Sequence, residues 1–234
     1  MKKLYLFGDS FSLFDMDLKN AMSSRIEFNT HHSLSNDHIL KLVKLKLNKI
    51  LQQNIDISGS TILIQLTVCS RMCVNESSIP YEKDLLRRIY SYDTSSIQYG
   101  DDDIFNNRYY TLYPNMGSVN TDLIKMVFSP YLGFFINQNE LNILNDLLLE
   151  ISLLKKLAES IGVNLEYFFY SSDFNRVISK TIMNSSHIKF GEFDSMHAHI
   201  ASINPEYFVS KMDIHFNNKG NIWYMRWLKE RYDI

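Results

Sequence analysis

The chain has little of three residue types that often define a fold or a site: 2 cysteines, 4 prolines and 8 glycines among 234 residues. Cys69 and Cys73 are too few for a disulfide framework, and their spacing without further cysteines is no zinc signature. Few prolines leave few natural break points, and no glycine-rich phosphate loop or dinucleotide fingerprint follows the first predicted strand. These absences favour a single domain in a reducing compartment.

Charge of one sign is not in excess either. The formal net charge is -2, which leaves no electrostatic footprint for nucleic acid or for an anionic membrane surface. No apolar run is long enough to span a bilayer, and the apolar start at residues 4–7 stops at Gly8 without a small-residue cleavage pattern. We therefore expect a soluble, cytoplasmic protein with no membrane span and no nucleic-acid partner.

Apolar periodicity predicts alternating strands and helices. Strands are predicted at 3–7, 61–66 and 163–170, and helices over 36–52, about 139–161, and from 217 to the end. Asn36 or Asp37 is expected to cap the first of these helices, since a short side-chain oxygen accepts from unpaired first-turn amides. Strand, crossover helix and strand in repetition predict a parallel sheet with helices on both faces.

The alternation of predicted strands and helices stops between residues 73 and 136. This stretch is rich in tyrosine and holds an acidic run at 101–103. Long irregular insertions in compact domains are often functional, so we expect part of the substrate contacts there. A small aromatic core belonging to the insertion itself is the alternative. Residues 1–234 are thus predicted as one domain with an insertion or cap at 73–136.

Ser10 follows the first predicted strand, within the stretch LYLFGDSFS. Ligands of open parallel sheets bind outside the carboxyl ends of the strands, and Ser10 lies at such an end. Gly-Asp-Ser is also a common turn sequence. A catalytic Ser10 therefore needs a histidine to take its proton and a carboxylate to orient that histidine. Two such pairs lie late in the sequence: Asp194 with His197, and Asp213 with His215.

The stretches LYLFGDSFS and MDIHFNNKGNIWYMRWL together resemble the first and last signature blocks of the SGNH, or GDSL-type, hydrolases. This resemblance implies a flavodoxin-like, three-layer α/β/α fold with a central parallel sheet. It also implies that Ser10 is the nucleophile, His215 the base and Asp213 the acid that orients the base. The sequence from Asn217 to Gly220 continues the last block as the family commonly does.

The spacing of the acid and the base departs from many members of the family. Asp213 and His215 are two residues apart, whereas the more common Asp-x-x-His spacing is kept by Asp194 and His197, which form the rival base pair. His197 and His199 would also be two metal ligands on one strand face, but no clear third ligand accompanies them. We therefore expect no metal and no cofactor.

The middle blocks depart further, because the glycine and the asparagine expected to complete an oxyanion hole are missing. Ser35 or Asn36, and Ser70 or Arg71, are the expected replacement donors, beside the amide of Ser10. A helix cap is the alternative role for Asn36. Arg71 has two alternatives: an anionic group of the substrate, or a carboxylate on the protein surface.

The resemblance implies a serine esterase that removes a small O-acyl group, with acetyl expected, from a carbohydrate or glycoconjugate. One alternative is an O-acyltransferase with the same triad, in which a sugar hydroxyl replaces water. The other is a non-catalytic binding protein on a degenerate scaffold, which the altered middle blocks motivate. The oligomeric state is left open by the sequence.

Overall fold

Helices and strands alternate along the chain. A computed structural model of the protein describes residues 2–9, 12, 14, 16–30, 35–67, 72–75, 109–112, 140–171, 176–211 and 213–234. No helix within these ranges is both long and apolar enough to cross a membrane. In chain order the elements are β1 (Leu4–Gly8), α1 (Met16–Met22), β2 (Ile26–Thr30), α2 (Asn36–Gln52), β3 (Thr61–Leu66), β4 (Met72–Asn75), β5 (Tyr109–Leu112), α3 (Glu140–Ser160), β6 (Asn164–Phe169), α4 (Arg176–Ser185), α5 (Met196–Ile203), a short 3-10 helix (Pro205–Tyr207) and α6 (Asn218–Tyr232).

Four of the strands form an all-parallel sheet in the order β2-β1-β3-β6. β1 pairs with β2 from Leu4 opposite Ile26 to Gly8 opposite Thr30, and with β3 on its other side. The chain thus moves first to one side of β1 and then to the other, and the carboxyl ends of the strands meet at one edge. Open α/β sheets bind ligands outside this edge, at the point where the strand order reverses.

Both faces of the sheet are buried, because successive side chains of a strand point to opposite faces. Phe7 and Phe169 lie on one face and pack with α2, α3 and α4. Leu6 and Phe168 lie on the other face and pack with α1, α5 and α6. The protein is therefore α/β with a parallel sheet between two layers of helices, consistent with the flavodoxin-like layout expected from the sequence.

The predicted elements are confirmed where the apolar periodicity is strong. α2 and β3 have the predicted bounds, α3 is one residue shorter at each end, and the strands predicted at 3–7 and 163–170 are β1 and β6 with shifted ends. The sequence does not predict β2, α1, α4 or α5. β2 is an edge strand whose three middle residues are only half-buried, so its sequence IEFNT shows little apolar pattern.

β4 and β5 form a separate antiparallel pair, with Met72 opposite Leu112. Of the insertion predicted at 73–136, the structure describes 73–75 and 109–112. The expectations about its other aromatic residues and its substrate contacts lie outside the described residues and stay predictions.

Gly220, in the first turn of α6, lies against the chain that precedes the helix. A β-carbon there would overlap the carbonyl oxygen of Tyr207 and lie 2.5 Å from Cδ1 of Phe216. In an open helix, alanine is favoured over glycine by about 1 kcal/mol. Here we expect Gly220→Ala to lower the free energy of unfolding by about 1–3 kcal/mol, measured by urea denaturation, because the added methyl group must displace backbone.

The control is Lys219→Ala, at the exposed preceding position of the same helix. It should change the free energy of unfolding by less than about 0.5 kcal/mol. A Gly220→Ala protein as stable as the wild type would contradict the close approach of the two segments.

Candidate active site

β1 ends at the middle of the sheet's carboxyl edge, and Asp9 follows it directly. Asp9 is fully buried, and its Oδ1 accepts a hydrogen bond from Nε2 of Gln65 on β3 (2.9 Å). Its main-chain oxygen accepts from the amide of Ser12 (3.0 Å). Ser10, the predicted nucleophile, lies outside the described residues. The structure therefore describes Asp9 and Ser12, on either side of the segment that holds Ser10, and the role of Ser10 stays a prediction.

Gly8 leaves room for this arrangement. A β-carbon on Gly8 would lie 2.9 Å from Oγ of Ser12 and 3.2 Å from Cβ of Gln65. The Ser12 hydroxyl donates a hydrogen bond to Oε1 of Gln65, and the hydroxyl of Tyr224 on α6 donates to the same oxygen (3.3 Å). The glycine of Gly-Asp-Ser thus permits close packing of a buried polar cluster.

Asp213 and His215 form a hydrogen-bonded pair in the loop before α6. Nδ1 of His215 lies 2.6 Å from Oδ1 of Asp213, and the same oxygen accepts from the His215 amide (3.1 Å). These two bonds, the side-chain bond foremost, hold the pKa of the Asp213 carboxyl below its ordinary value. An ionised carboxylate only accepts hydrogen bonds, so Nδ1 carries the ring hydrogen and Nε2 is the basic nitrogen of the neutral ring.

Asn217 fixes the end of this loop at the start of α6. Its Oδ1 accepts a hydrogen bond from the amide of Gly220 (3.2 Å), which caps the helix. Its Nδ2 donates to the carbonyl oxygens of Glu206 (2.7 Å) and Phe208 (2.9 Å). The Asn-x-x-Gly sequence after His215 therefore holds three segments together: the helix, the loop and the chain before the loop.

Tyr170 ties the same loop to the sheet. Its amide donates to the carbonyl oxygen of Leu66, extending the pairing of β6 with β3 (2.9 Å), and its hydroxyl donates to the carbonyl oxygen of Ile214 (2.6 Å). Burial raises the pKa of the Tyr170 hydroxyl well above its usual value, and the negative charges of Asp9 and Asp213 raise it further. The two hydrogen bonds of Tyr170 thus hold the Asp213–His215 pair at the carboxyl edge of the sheet, where Asp9 also lies.

Asn36, a predicted oxyanion donor, is hydrogen-bonded through its side chain to the chain that leaves β3. Its Oδ1 accepts from the amide of Thr67 (2.8 Å), and its Nδ2 donates to the carbonyl oxygen of Thr67 (3.1 Å). The expectation that Asn36 or Asp37 caps α2 is wrong, because the N-cap residue is Ser35, whose side chain makes no capping bond. Asn36 is the first residue of the helix, and its side-chain amide binds the main chain of Thr67 after β3 instead of the first turn of the helix.

Ser35, another predicted donor, is fully buried, and its hydroxyl lies 3.2 Å from Nδ1 of His38. Burial, followed by the charge of Lys41, lowers the pKa of His38 to about 4, so this histidine is neutral at pH 7. Ser70 and Arg71, the remaining predicted donors, lie outside the described residues. Their roles stay predictions.

In the rival pair, Asp194 lies just before α5 and His197 lies in the first turn of that helix. Asp194 accepts a hydrogen bond from the hydroxyl of Ser179 (2.5 Å). Burial lowers the pKa of His197, and the nearby charge of Asp194 offsets part of that shift. The His197 ring packs against Phe208, with 4.9 Å between ring centroids. His197 is thus a half-buried histidine that packs against an aromatic ring and lies near the charge of Asp194. His215, in contrast, is hydrogen-bonded to its carboxylate, Asp213.

His197 and His199 lie on a helix, so the expectation that they share one strand face is wrong. Residues two apart on an α-helix project about 200° from each other. His199 packs with Phe190 and Phe193, at centroid distances of 5.9 Å and 5.7 Å. In the part of the chain that the structure describes, no group of three histidine, cysteine or acidic side chains is placed to hold a metal ion.

Sequence reasoning does not find Gln65, Tyr170 and Tyr224, which connect the described parts of the site. One signal was available for Gln65, because it interrupts the apolar run of β3. The two tyrosines give no such signal. One follows an aromatic strand and the other lies in a helix with aromatic neighbours, where tyrosine is ordinarily part of the core.

No protein-family model, curated protein or solved structure matches this chain. Its function is therefore inferred from its own sequence blocks and from the geometry at the carboxyl edge of the sheet.

The bond between Asp213 and His215 predicts how the carboxyl group titrates. The bond favours the ionised form, so the Asp213 carboxyl should titrate below the ordinary aspartate pKa of about 3.9 and move up toward it in His215→Ala. The stability that the bond contributes is present above the ordinary pKa and is lost as pH falls through the lowered one. NMR of the side-chain carboxyl carbon, followed from about pH 2 to 7, measures both midpoints.

His197→Ala is the matched control for this titration and should leave the Asp213 midpoint unchanged. Equal midpoints in the wild type and in His215→Ala would show that the bond does not form in solution.

Two buried threonine hydroxyls at this edge have no hydrogen-bond partner among the described residues: Oγ1 of Thr30, which ends β2, and Oγ1 of Thr67, which follows β3. A buried hydroxyl without a partner costs about 1–3 kcal/mol. We therefore expect Thr67→Val to raise the free energy of unfolding, by up to about 1 kcal/mol once the altered packing is included, as measured by urea denaturation.

Ser195→Ala is the contrasting variant, because the Ser195 hydroxyl caps α5 by accepting from the amide of Ala198 (3.2 Å). Its loss should lower the free energy of unfolding by about 1 kcal/mol. A Thr67→Val protein destabilised as much as Ser195→Ala would show that the Thr67 hydroxyl is paired in solution.

Proposed function

We propose that the protein is a serine esterase of the SGNH type, in which Ser10, His215 and Asp213 form the catalytic triad. Its proposed reaction removes a small O-acyl group, such as acetyl, from a carbohydrate or glycoconjugate. The observation that carries the proposal is the 2.6 Å contact between Nδ1 of His215 and Oδ1 of Asp213, in a loop tied to the carboxyl edge of the sheet. The strand order β2-β1-β3-β6, with Gly-Asp-Ser beginning at the last residue of β1, supports the same assignment.

In the proposed reaction, Nε2 of His215 takes the hydroxyl proton of Ser10 as the serine oxygen bonds to the ester carbonyl carbon. The tetrahedral intermediate then breaks its bond to the alcohol oxygen, and the alcohol leaves with the proton from Nε2. Water gives a proton to the same nitrogen and attacks the acyl-enzyme. The second tetrahedral intermediate then breaks its bond to the serine oxygen, which takes the proton back from Nε2 as the acid leaves. Asp213 holds the Nδ1 hydrogen and stabilises the imidazolium in both halves.

The developing oxyanion requires hydrogen-bond donors, and loss of one donor costs about a hundredfold or more in rate. The Ser10 amide is the first proposed donor. Asn36 is a supported second, because Nδ2 gives one of its two hydrogens to Thr67 and retains another, at the loop that leaves β3. Ser35, Ser70 and Arg71 remain the other proposed donors.

A fluorophosphonate probe and p-nitrophenyl acetate test the triad. The wild type should be labelled and Ser10→Ala should not, while His215→Ala should lose at least about a thousandfold in kcat/KM. Asp213→Asn should lose about a hundredfold or more, because an amide at this position favours the wrong imidazole tautomer. His197→Ala is the control histidine and should keep most of the activity. Thermal unfolding establishes that each variant is folded.

Two results would overturn these assignments. An unlabelled and inactive wild type would exclude both enzymatic functions and favour the non-catalytic binding protein. An inactive His197→Ala beside an active His215→Ala would move the base to the rival pair. Addition of a free sugar acceptor separates hydrolysis from transfer, because acylated sugar as the main product identifies an O-acyltransferase.

A further inference from the structure

Four fully buried polar residues meet at the carboxyl end of β1, and we call them the Gln65 cluster: Asp9, Ser12, Gln65 and Tyr224. Both the nitrogen and the oxygen of the Gln65 side-chain amide form hydrogen bonds. Nε2 donates to Oδ1 of Asp9 (2.9 Å), and Oε1 accepts from the hydroxyls of Ser12 and Tyr224. The Ser12 and Tyr224 hydroxyl oxygens also lie 3.4 Å apart. These bonds therefore favour one orientation of the Gln65 amide.

The Gln65 cluster joins three parts of the fold through polar side chains: the chain that follows β1, the strand β3 and the helix α6. Asp9 and Ser12 flank the predicted nucleophile, and Gln65 lies on β3. Tyr224 lies on α6, the helix that begins three residues after His215. A single amide thus connects the chain around Ser10 to the helix that carries the base loop.

The surroundings of this network are apolar. The Tyr224 ring packs against Phe14, Phe216 and Trp227, at centroid distances of 5.3 Å, 5.7 Å and 5.7 Å. Buried polar groups in such surroundings favour one set of partners, because any displacement leaves a donor or acceptor unpaired. Apolar side chains of similar size would fill the same space without favouring one relative arrangement of the segments they join.

We propose that Gln65 and Tyr224 are positioning residues that hold the chain around Ser10 and the loop carrying His215 in one relative arrangement. This inference rests on the proposed function for its effect on catalysis. Neither residue is proposed to touch the substrate. A small displacement between a nucleophile and its base costs up to about a hundredfold in rate, so a network of this kind is expected to act on kcat.

Tyr224→Phe tests the inference, and Tyr167→Phe is its matched control. Tyr224→Phe removes the hydroxyl that donates to Gln65 and keeps the packed ring. Tyr167→Phe removes a hydroxyl that donates to the carbonyl oxygen of Ser185 (2.6 Å), also from a buried tyrosine but on the opposite face of the sheet. We expect kcat for p-nitrophenyl acetate to fall about tenfold in Tyr224→Phe with KM within about twofold, and both constants to stay within about twofold in Tyr167→Phe.

A second measurement does not depend on catalysis. The amide of Ser12 donates to Asp9, and the amide of His215 donates to Asp213, so hydrogen exchange at these two amides reports how firmly each segment is held. Both should exchange about tenfold faster in Tyr224→Phe and at the wild-type rate in Tyr167→Phe. Ser12→Ala removes a different donor to the same Gln65 oxygen, and it replaces Tyr224→Phe if that variant does not fold.

The outcomes are distinguishable. Unchanged exchange at both amides in Tyr224→Phe would overturn the positioning role, and so would a lower unfolding temperature with unchanged kcat. If the wild type is not labelled by the phosphonate but exchange at both amides still rises in Tyr224→Phe, the proposed esterase function fails while the coupling between the two segments stands.

Discussion

The Tyr170 hydroxyl donates a hydrogen bond to the carbonyl oxygen of Ile214 (2.6 Å), and this contact joins the two halves of the candidate site. On one side, the Tyr170 amide continues the pairing of β6 with β3. On the other, Ile214 lies between Asp213 and His215. Burial and the neighbouring carboxylates raise the pKa of the phenol, so the hydroxyl keeps its hydrogen and donates at every physiological pH. The loop therefore takes its position from the sheet as well as from α6.

The two carboxylates of the site lie in opposite environments. Asp9 is fully buried, and a buried polar group is tolerated only with hydrogen-bond partners such as Gln65. Asp213 is half exposed, with 47% of its side chain accessible, so water screens its attraction to His215. The orientation of His215 thus depends on the short bond and the fixed loop more than on the strength of an ion pair. The buried Asp9 thus helps to hold the chain after β1 in place, whereas the half-exposed Asp213–His215 pair is open to protons from the solvent.

The sequence is sufficient to predict the parts of this structure that depend on local pattern. The apolar run TILIQL identifies β3, and leucines at helical spacing identify α2 and α3, because burial of one face imposes a period on the sequence. It also predicts Asp213 beside His215, since only Ile214 separates them. It does not predict the contact of Tyr224 with Gln65, which are 159 residues apart and depend on the crossing of α6 over the sheet.

Three side-chain amides hold the irregular segments at the carboxyl edge. Gln65 binds Asp9 after β1, Asn36 binds Thr67 after β3, and Asn217 binds the chain before the base loop. An amide carries both a donor and an acceptor, as a peptide group does, so it can continue a hydrogen-bond pattern where a strand ends. Asn36 and Asn217 bind main-chain groups, which every residue has. The sequence therefore marks Asn36 as a candidate for capping or catalysis, but which loop each of the three amides holds follows from the fold.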